Sequence, residues 1–456
     1  MSEQIAQLVA DGTVRTVRLV AAMPDGRLIG KYLSGTHLVE MLPHRPNVSD
    51  IVFGLDRANG VEVTRWEPWR GEMAELYLDP DLDTLMVDPR LDGMATVLCD
   101  FVLEDGPIAE CSRSQVKRLL GELSARGLHM KAGFEIEFTA FSQSIEQARR
   151  QGYRDLTPLG GDNASAYSVT KTRPVIDFMD AVTRRLERLG LHWESWLDEA
   201  GNGQFELNLE PDEALRTADN VTIAKMVLRE VAEEQGLCVT FMAKWHADHF
   251  GGGLHFNHSL WRGEESAFHD PDEPDARSAV YRNWIGGVMA TMRGAQLFSY
   301  PNVNSYRRVA ELSGAPTTVT WGGDNKTTAM RAMSQSPASA RAELRIPGAD
   351  TNPYLVMAAT LAGGIAGLDE QLEPPPPFDG MAWGLPPEDG LQLAHSITAA
   401  IDALAADTRL RNRLGDELVD HWIGHCRGEW LAFHTTGGNP DSPLCDWELN
   451  RYFENV

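Results

Sequence analysis

Gly133-Phe134-Glu135-Ile136-Glu137-Phe138 alternates apolar and acidic residues with a period of two. Successive side chains on a strand point to opposite faces, so Phe134, Ile136 and Phe138 share one face and Glu135 and Glu137 the other. Two carboxylates side by side repel unless positive charge lies between them, and a metal cation is the obvious source. A solvated strand carries the same pattern, so the rest of the chain has to separate the two readings.

The pattern recurs. In Phe205-Glu206-Leu207-Asn208-Leu209-Glu210 the polar residues share one face, in Leu254-His255-Phe256-Asn257 the pair His255 and Asn257 does so, and in Arg341-Ala342-Glu343-Leu344-Arg345-Ile346 the polar face reads Arg, Glu, Arg. Plain solvent-facing strands favour Lys, Thr, Ser and Gln. A face of Glu, His, Asn and Arg instead suits divalent cations and phosphate: carboxylates and imidazole hold Mg²⁺ or Mn²⁺, and guanidinium forks grip phosphate oxygens. The chemistry that fits is phosphoryl transfer. The chain has no GxxxxGK[ST] loop, which excludes a P-loop enzyme, and Gly251-Gly252-Gly253 is compatible with either a close ligand approach or a plain turn.

Bulk properties narrow the class. The 456 residues carry a formal charge of −25, which argues against nonspecific nucleic-acid binding. The five cysteines are scattered with no CxxC pair, no secretory leader is visible, and no apolar run spans a membrane, so a cytoplasmic location is expected.

The local patterns predict an α+β chain. Residues 1–110 read as a small sheet-rich N-terminal domain, with strands near Arg15–Ala21, Leu28–Tyr32 and Ala95–Leu103 and a turn at Pro24–Arg27. On the first strand Val17, Leu19 and Ala21 share a face, while Arg15 and Val20 fall on the wrong sides. Residues 111–456 read as a larger catalytic domain. Helices are predicted at Ser112–Arg126, Pro174–Leu189, Ala218–Gln235, 278–295 and 353–371, with a mainly helical remainder from Asp389.

Taken together, six segments resemble the glutamine synthetase superfamily in family order. They are Gly133–Phe138, Glu199–Glu206, Gly251–His255, Asn304–Arg308, Trp321–Lys326 with Arg331, and Arg341–Arg345 followed by Asn352-Pro353-Tyr354. Phe241-Met242-Ala243-Lys244 and Pro301–Arg308 are most similar to the γ-glutamylamide-forming branch. The resemblance implies an N-terminal β-grasp domain, a catalytic domain with a curved antiparallel sheet flanked by helices, and a homododecamer of two stacked hexameric rings with active sites shared between subunits. It implies that Glu137, Glu199 and Glu206 hold one divalent metal, with Asp198 a rival to Glu199. Glu135, His255 and Glu343 would hold the second. Arg308 and Arg345 would bind the glutamate carboxylate or the transferred phosphoryl group. Lys326, Arg331 and Arg341 would neutralise ATP phosphates, with Ser259 as a further nucleotide contact. Gly251 and Asn257 are implied on the substrate side. The implied reaction joins the γ-carboxylate of glutamate to an amine through an acyl phosphate, with ATP as co-substrate and Mg²⁺ or Mn²⁺ as cofactor.

Three departures bear on the amine. Ammonia-using relatives carry a Glu just before an Ala-Pro pair, where this chain has Gly314 before Ala315-Pro316. A glycine leaves space, so a substituted amine is expected; Glu311, three residues earlier, is the alternative source of a carboxylate. Asn257 stands where many bacterial relatives have a second His, and Lys326 where Arg is usual, which keeps the charge but loses the fork. Asp56 and Glu75 align loosely with an acidic pair lent by the neighbouring subunit. Trp66, Trp69 and Trp321 are candidates for an apolar wall, though core tryptophans are the commoner case. A true glutamine synthetase and a catalytically silent synthetase-like protein remain the alternative readings.

Overall fold

The computed structural model describes residues 2–61, 73–88, 90–162, 165–310 and 312–456. Trp66, Trp69 and Glu311 lie outside the described residues.

The first sheet is seven-stranded and begins with Thr16–Ala22 between Leu28–Ser34, antiparallel to it, and Met94–Leu103, parallel to it. Val17, Leu19 and Ala21 point into a small core of their own, as the alternation predicts. Val20 breaks that alternation for a physical reason. With Ala22 and Leu98 it is buried in the core of the larger unit, so both faces of this sheet are covered. Arg18, on that second face, reaches Glu230 on the helix Ala214–Glu234 at 2.5 Å. Two short helices in this part, Ser2–Ala10 and Gly35–Met41, were not expected from the sequence.

Among the described residues the second sheet has ten strands. Its main path runs Trp321–Gly322, Met330–Met333, Arg341–Leu344, Leu254–Arg262, His129–Phe141, Gln204–Leu209 and Trp193–Asp198. Every pairing among these is antiparallel except Trp321–Gly322 with Met330–Met333. Phe134, Ile136 and Phe138 are buried in the main core, where Phe134 stacks on Phe256 at 4.6 Å between ring centroids. The helices Arg173–Arg188, Ala214–Glu234 and Pro353–Glu370 contribute to the same core, which leaves the opposite face of the sheet for polar side chains. Trp321 is buried, donates from Nε1 to the Pro375 carbonyl and lies under the Arg277 guanidinium, so it is a core residue and not a cavity wall. No helix among the described residues is long and apolar enough to cross a membrane.

Candidate active site

Strand register brings the polar residues together. Glu206 pairs with Glu137, Glu135 with His255, Asn257 with Glu343, and Glu343 with Arg331. Directly opposed residues on antiparallel strands share a face at close range. The result is a continuous row across five strands.

Two clusters emerge within 4.8 Å between ligand atoms: Glu135, His255 and Glu343, and Glu137, Glu206 and His255. His255 Nδ1 lies 2.9 Å from Glu135 Oε2, and its Nε2 lies 3.6 Å from Glu137 Oε1. Glu135 and Glu137 therefore belong to different clusters and share one imidazole. Glu199 lines the same cavity, with an oxygen accepting from the Ala200 N–H at 3.2 Å, but its carboxylate stands outside both clusters. Asp198 is buried in an ion pair with Lys171, turned away from this role.

The charges are poorly balanced without a cation. Burial would push Glu135 up, but the hydrogen bond and charge of His255, with help from Asn257 and Arg345, bring its pKa down to about 2. Burial and then the Glu137 charge push Glu199 up to about 7. Burial and the charges of Glu135 and Glu137 push Glu206 up to about 9. Like charges crowded in a low dielectric raise each other in this way, and a bound cation reverses it. Oxygen donors with one imidazole suit a hard divalent ion, so the residues fit the metals that the sequence implies.

The backbone is shaped around these groups. Glu137 accepts from Gly253 N–H at 2.9 Å and from Gln204 Nε2 at 3.0 Å. A Cβ on Gly253 would stand 2.7 Å from His255 Nε2 and 2.9 Å from Arg308 Nη2. The glycine run is thus a close approach of backbone to the site rather than a plain turn. A Cβ on Gly251 would meet the Ala243 carbonyl at 2.5 Å.

Two cavities meet at Glu135. The first, about 290 Å³, holds Glu137, Glu199, Glu206, His255, Gly251, Arg308, Arg345, Lys326 and Gly314 on its walls. The second, about 450 Å³, is lined by Asn257, Ser259, Trp261, Lys131 and Arg341. Asn257 donates to Glu135 Oε1 at 2.9 Å and accepts from Arg341 Nε at 3.2 Å, so it faces the second cavity. Ser259 Oγ accepts from Trp261 Nε1. Lys326 is exposed and opens on the first cavity, not the second. Arg331 bridges Glu343 at 2.8 Å and Asp324, while Arg345 is bonded to Glu343. Arg308 Nη1 donates to the Ile346 carbonyl at 2.8 Å. The Nε atoms of Arg308 and Arg345 are buried without a hydrogen-bond partner, an arrangement that an anionic ligand would complete.

The sequence-predicted set does not converge entirely within one chain. Asp56 accepts from Arg451 Nη2 at 2.9 Å and from the backbone of Ala58 and Gly60, away from either cavity. Glu75 is exposed at the start of its strand. Three residues escaped sequence reasoning as contributors: Gln204, Phe250 and Tyr167. Gln204 sits two residues before Glu206 and so on its face, a signal that was available.

Comparison with known proteins completes the picture. Residues 109–452 match the family described as glutamine synthetase, catalytic domain. This chain belongs to the glutamine synthetase family. A glutamate–isopropylamine ligase of Pseudomonas sp. is 31% identical over 460 residues, covering 99% of this chain and 98% of the relative. A gamma-glutamylethanolamide synthetase of Streptomyces coelicolor is 33% identical over 462 residues, covering 100% and 96%. A solved GmaS–ADP complex superimposes with a TM-score of 0.82 at 25% identity, covering 98% of each chain.

Proposed function

We propose that the protein is an ATP-dependent ligase that joins the γ-carboxylate of glutamate to a substituted amine through a γ-glutamyl phosphate. The observation that carries this reading is the junction at Glu135. One cavity there has an arginine-lined acidic wall, and the other is large enough for a nucleotide. In the first step the γ-carboxylate attacks the γ-phosphorus of ATP and ADP leaves. In the second the amine attacks the acyl phosphate and inorganic phosphate leaves.

Each residue has a task in that scheme. Arg308 and Arg345 hold the γ-carboxylate and then the phosphoryl oxygens, using the guanidinium atoms that lack partners. Arg341 reaches the phosphates from the nucleotide cavity. Arg331, held by Glu343 and Asp324, braces the Glu343 carboxylate beside these anions. A divalent cation on Glu135, His255 and Glu343, and another on Glu137 and Glu206 beside Glu199, would neutralise phosphate charge when bound, with Mg²⁺ or Mn²⁺ as the fitting ions. Gly251 keeps the backbone close to the glutamate end.

Gly314 supports a substituted amine, since nothing but Phe250 Cδ1, at 3.9 Å, stands within 4 Å of the Cβ position. The names of the two relatives, an isopropylamine ligase and an ethanolamide synthetase, support the same class. Asp56 and Glu75 then act on a neighbouring subunit's site, in a homododecamer of two stacked rings. Light scattering on the intact protein tests that assembly. A cytoplasmic setting accords with five buried free cysteines.

Initial rates of ADP release with glutamate and a panel of amines test the reaction. Turnover with alkylamines is expected; activity with ammonium alone would return the assignment to glutamine synthetase. No turnover with any amine would favour the silent reading.

A further inference from the structure

The acceptor end of the first cavity differs in character from its metal end. Its metal end carries the carboxylates, His255 and the two arginines. Phe250, Tyr167, Ala200, Gly314 and Ala315 line the same cavity, together with Ser313, Gln204 and Lys326, and Phe250 Cδ1 lies 3.9 Å from the Cβ position of Gly314. Phe250 is 41% exposed and Tyr167 67% exposed, although both line the cavity. Leu312, two residues before Gly314, is 67% exposed, and Val169, two residues after Tyr167, is 95% exposed. Exposed apolar side chains on a cavity wall, as Phe250 is, mark a binding surface.

The loops that carry them are held in place. Tyr167 has φ of +62° and Leu312 +59°, conformations uncommon for residues with side chains. Tyr167 N–H donates to the Asp198 carbonyl at 2.8 Å, and the buried Lys171–Asp198 ion pair fastens the same loop. Ser313 Oγ is engaged with the carbonyls of Arg308 and Ala310, at 3.1 and 2.6 Å. The Ser313 hydroxyl is thus turned to the backbone, and the Phe250 ring beside Gly314 offers carbon surface to a substituent on the amine.

We infer that Phe250 and Tyr167 form an aromatic acceptor pocket that selects amines with a short apolar substituent, over hydroxylated amines and diamines. The inference rests on the proposed glutamate–amine ligation and names its acceptor. The amine nitrogen faces the acyl phosphate at Arg308 and Arg345, and its carbon substituent lies against the Phe250 ring in the space that Gly314 leaves. Burying each methylene in such a pocket is worth about fourfold in affinity.

The test compares wild type with Phe250→Ala and Phe250→Leu, using ethylamine, isopropylamine, ethanolamine and putrescine at saturating glutamate and ATP. Wild type is expected to show at least a tenfold higher kcat/KM for isopropylamine than for ethanolamine or putrescine. Phe250→Ala is expected to erase that preference by raising the isopropylamine KM about tenfold, with Phe250→Leu intermediate and the KM for ATP moved less than twofold. An unchanged preference in Phe250→Ala overturns the inference, as does a wild-type preference for putrescine or ethanolamine. If the variant instead loses subunit association and keeps the preference, this face is a contact between copies and the inference is again overturned. Absence of turnover with every amine in wild type would count against the ligation itself, which separates the two failures.

Discussion

The metal end and the acceptor end of one cavity are built in opposite ways. Glu135, Glu137, Glu206, His255 and Glu343 stand on paired strands, and register fixes their spacing. Phe250, Tyr167 and Gly314 stand on connecting segments, fixed by one ion pair, a few backbone bonds and unusual φ values. A sheet holds charges at close range because each strand braces the next. Loops are free to vary, so the proposed function puts the chemistry on the former and the choice of acceptor on the latter.

Four substitutions or titrations break or sharpen that contrast. Glu343→Gln keeps shape but removes the charge that binds Arg331 and Arg345 and closes one cluster. Activity should fall by about a thousandfold, in line with several kcal/mol of transition-state stabilisation. Rates of ADP release, alongside a melting curve that shows the fold intact, check this.

Gly253→Ala places a methyl against His255 and Arg308. The shift disturbs a metal-cluster imidazole and an anion-binding guanidinium together, and kcat should drop by about a hundredfold, the scale expected for a misplaced reacting group. If Gly253→Ala proves silent, the backbone approach is not what sets the site.

The metal end should also be linked to protons. Glu206 titrates at about 9 and Glu199 at about 7 in the metal-free chain, above the ordinary carboxyl range. The folded chain therefore binds more protons than the unfolded one at neutral pH, and its metal-free stability falls as pH rises until about 9. Binding of Mg²⁺ expels those protons, so affinity should rise between about pH 6 and pH 9. Calorimetric titrations of Mg²⁺ in buffers of different ionisation heat read the released protons directly. A pH-independent affinity would contradict the crowding of these carboxylates.

The smallest effect belongs to the loop. Gly314 has φ of +83° and open space at its Cβ position. Gly314→Ala should cost about 1 kcal/mol of stability from backbone strain alone, and Gly314→Asn less, because Asn tolerates the left-handed region. Thermal melting separates the two. A Glu at this position would be strained as well as bulky, so its effect on amine choice is best judged against the Asn variant.

The same contrast explains what could be read from the residues alone. Period-two alternation made Glu135, Glu137, Glu206, His255 and Glu343 visible, because a strand has no other way to arrange them. It could not show that His255 stands between two clusters, since that depends on which strands are neighbours. Phe250 and Tyr167 belong to no periodic segment, and Gly251 to Gly253 reads equally as a turn until His255 and Arg308 are seen against it. The helix Gly35–Met41 was hidden by its Gly and Thr, although Ser34 caps it by accepting from the His37 N–H. Val20 was misleading for a better reason: alternation presumes one wet face, and its strand has none.

That two-sided strand bears on the order in which the protein takes shape during synthesis. Thr16–Ala22 emerges early, but its parallel partner begins at Met94, and the cover for its second face includes the helix Ala214–Glu234. For nearly half the length of the chain an apolar face carrying Val20 waits without shelter. Contacts that distant in sequence close slowly and leave strands open to the wrong neighbours. A nascent chain stalled before Ala214 is expected to be caught by chaperones or to aggregate, whereas one released after Glu234 has the means to hide that face.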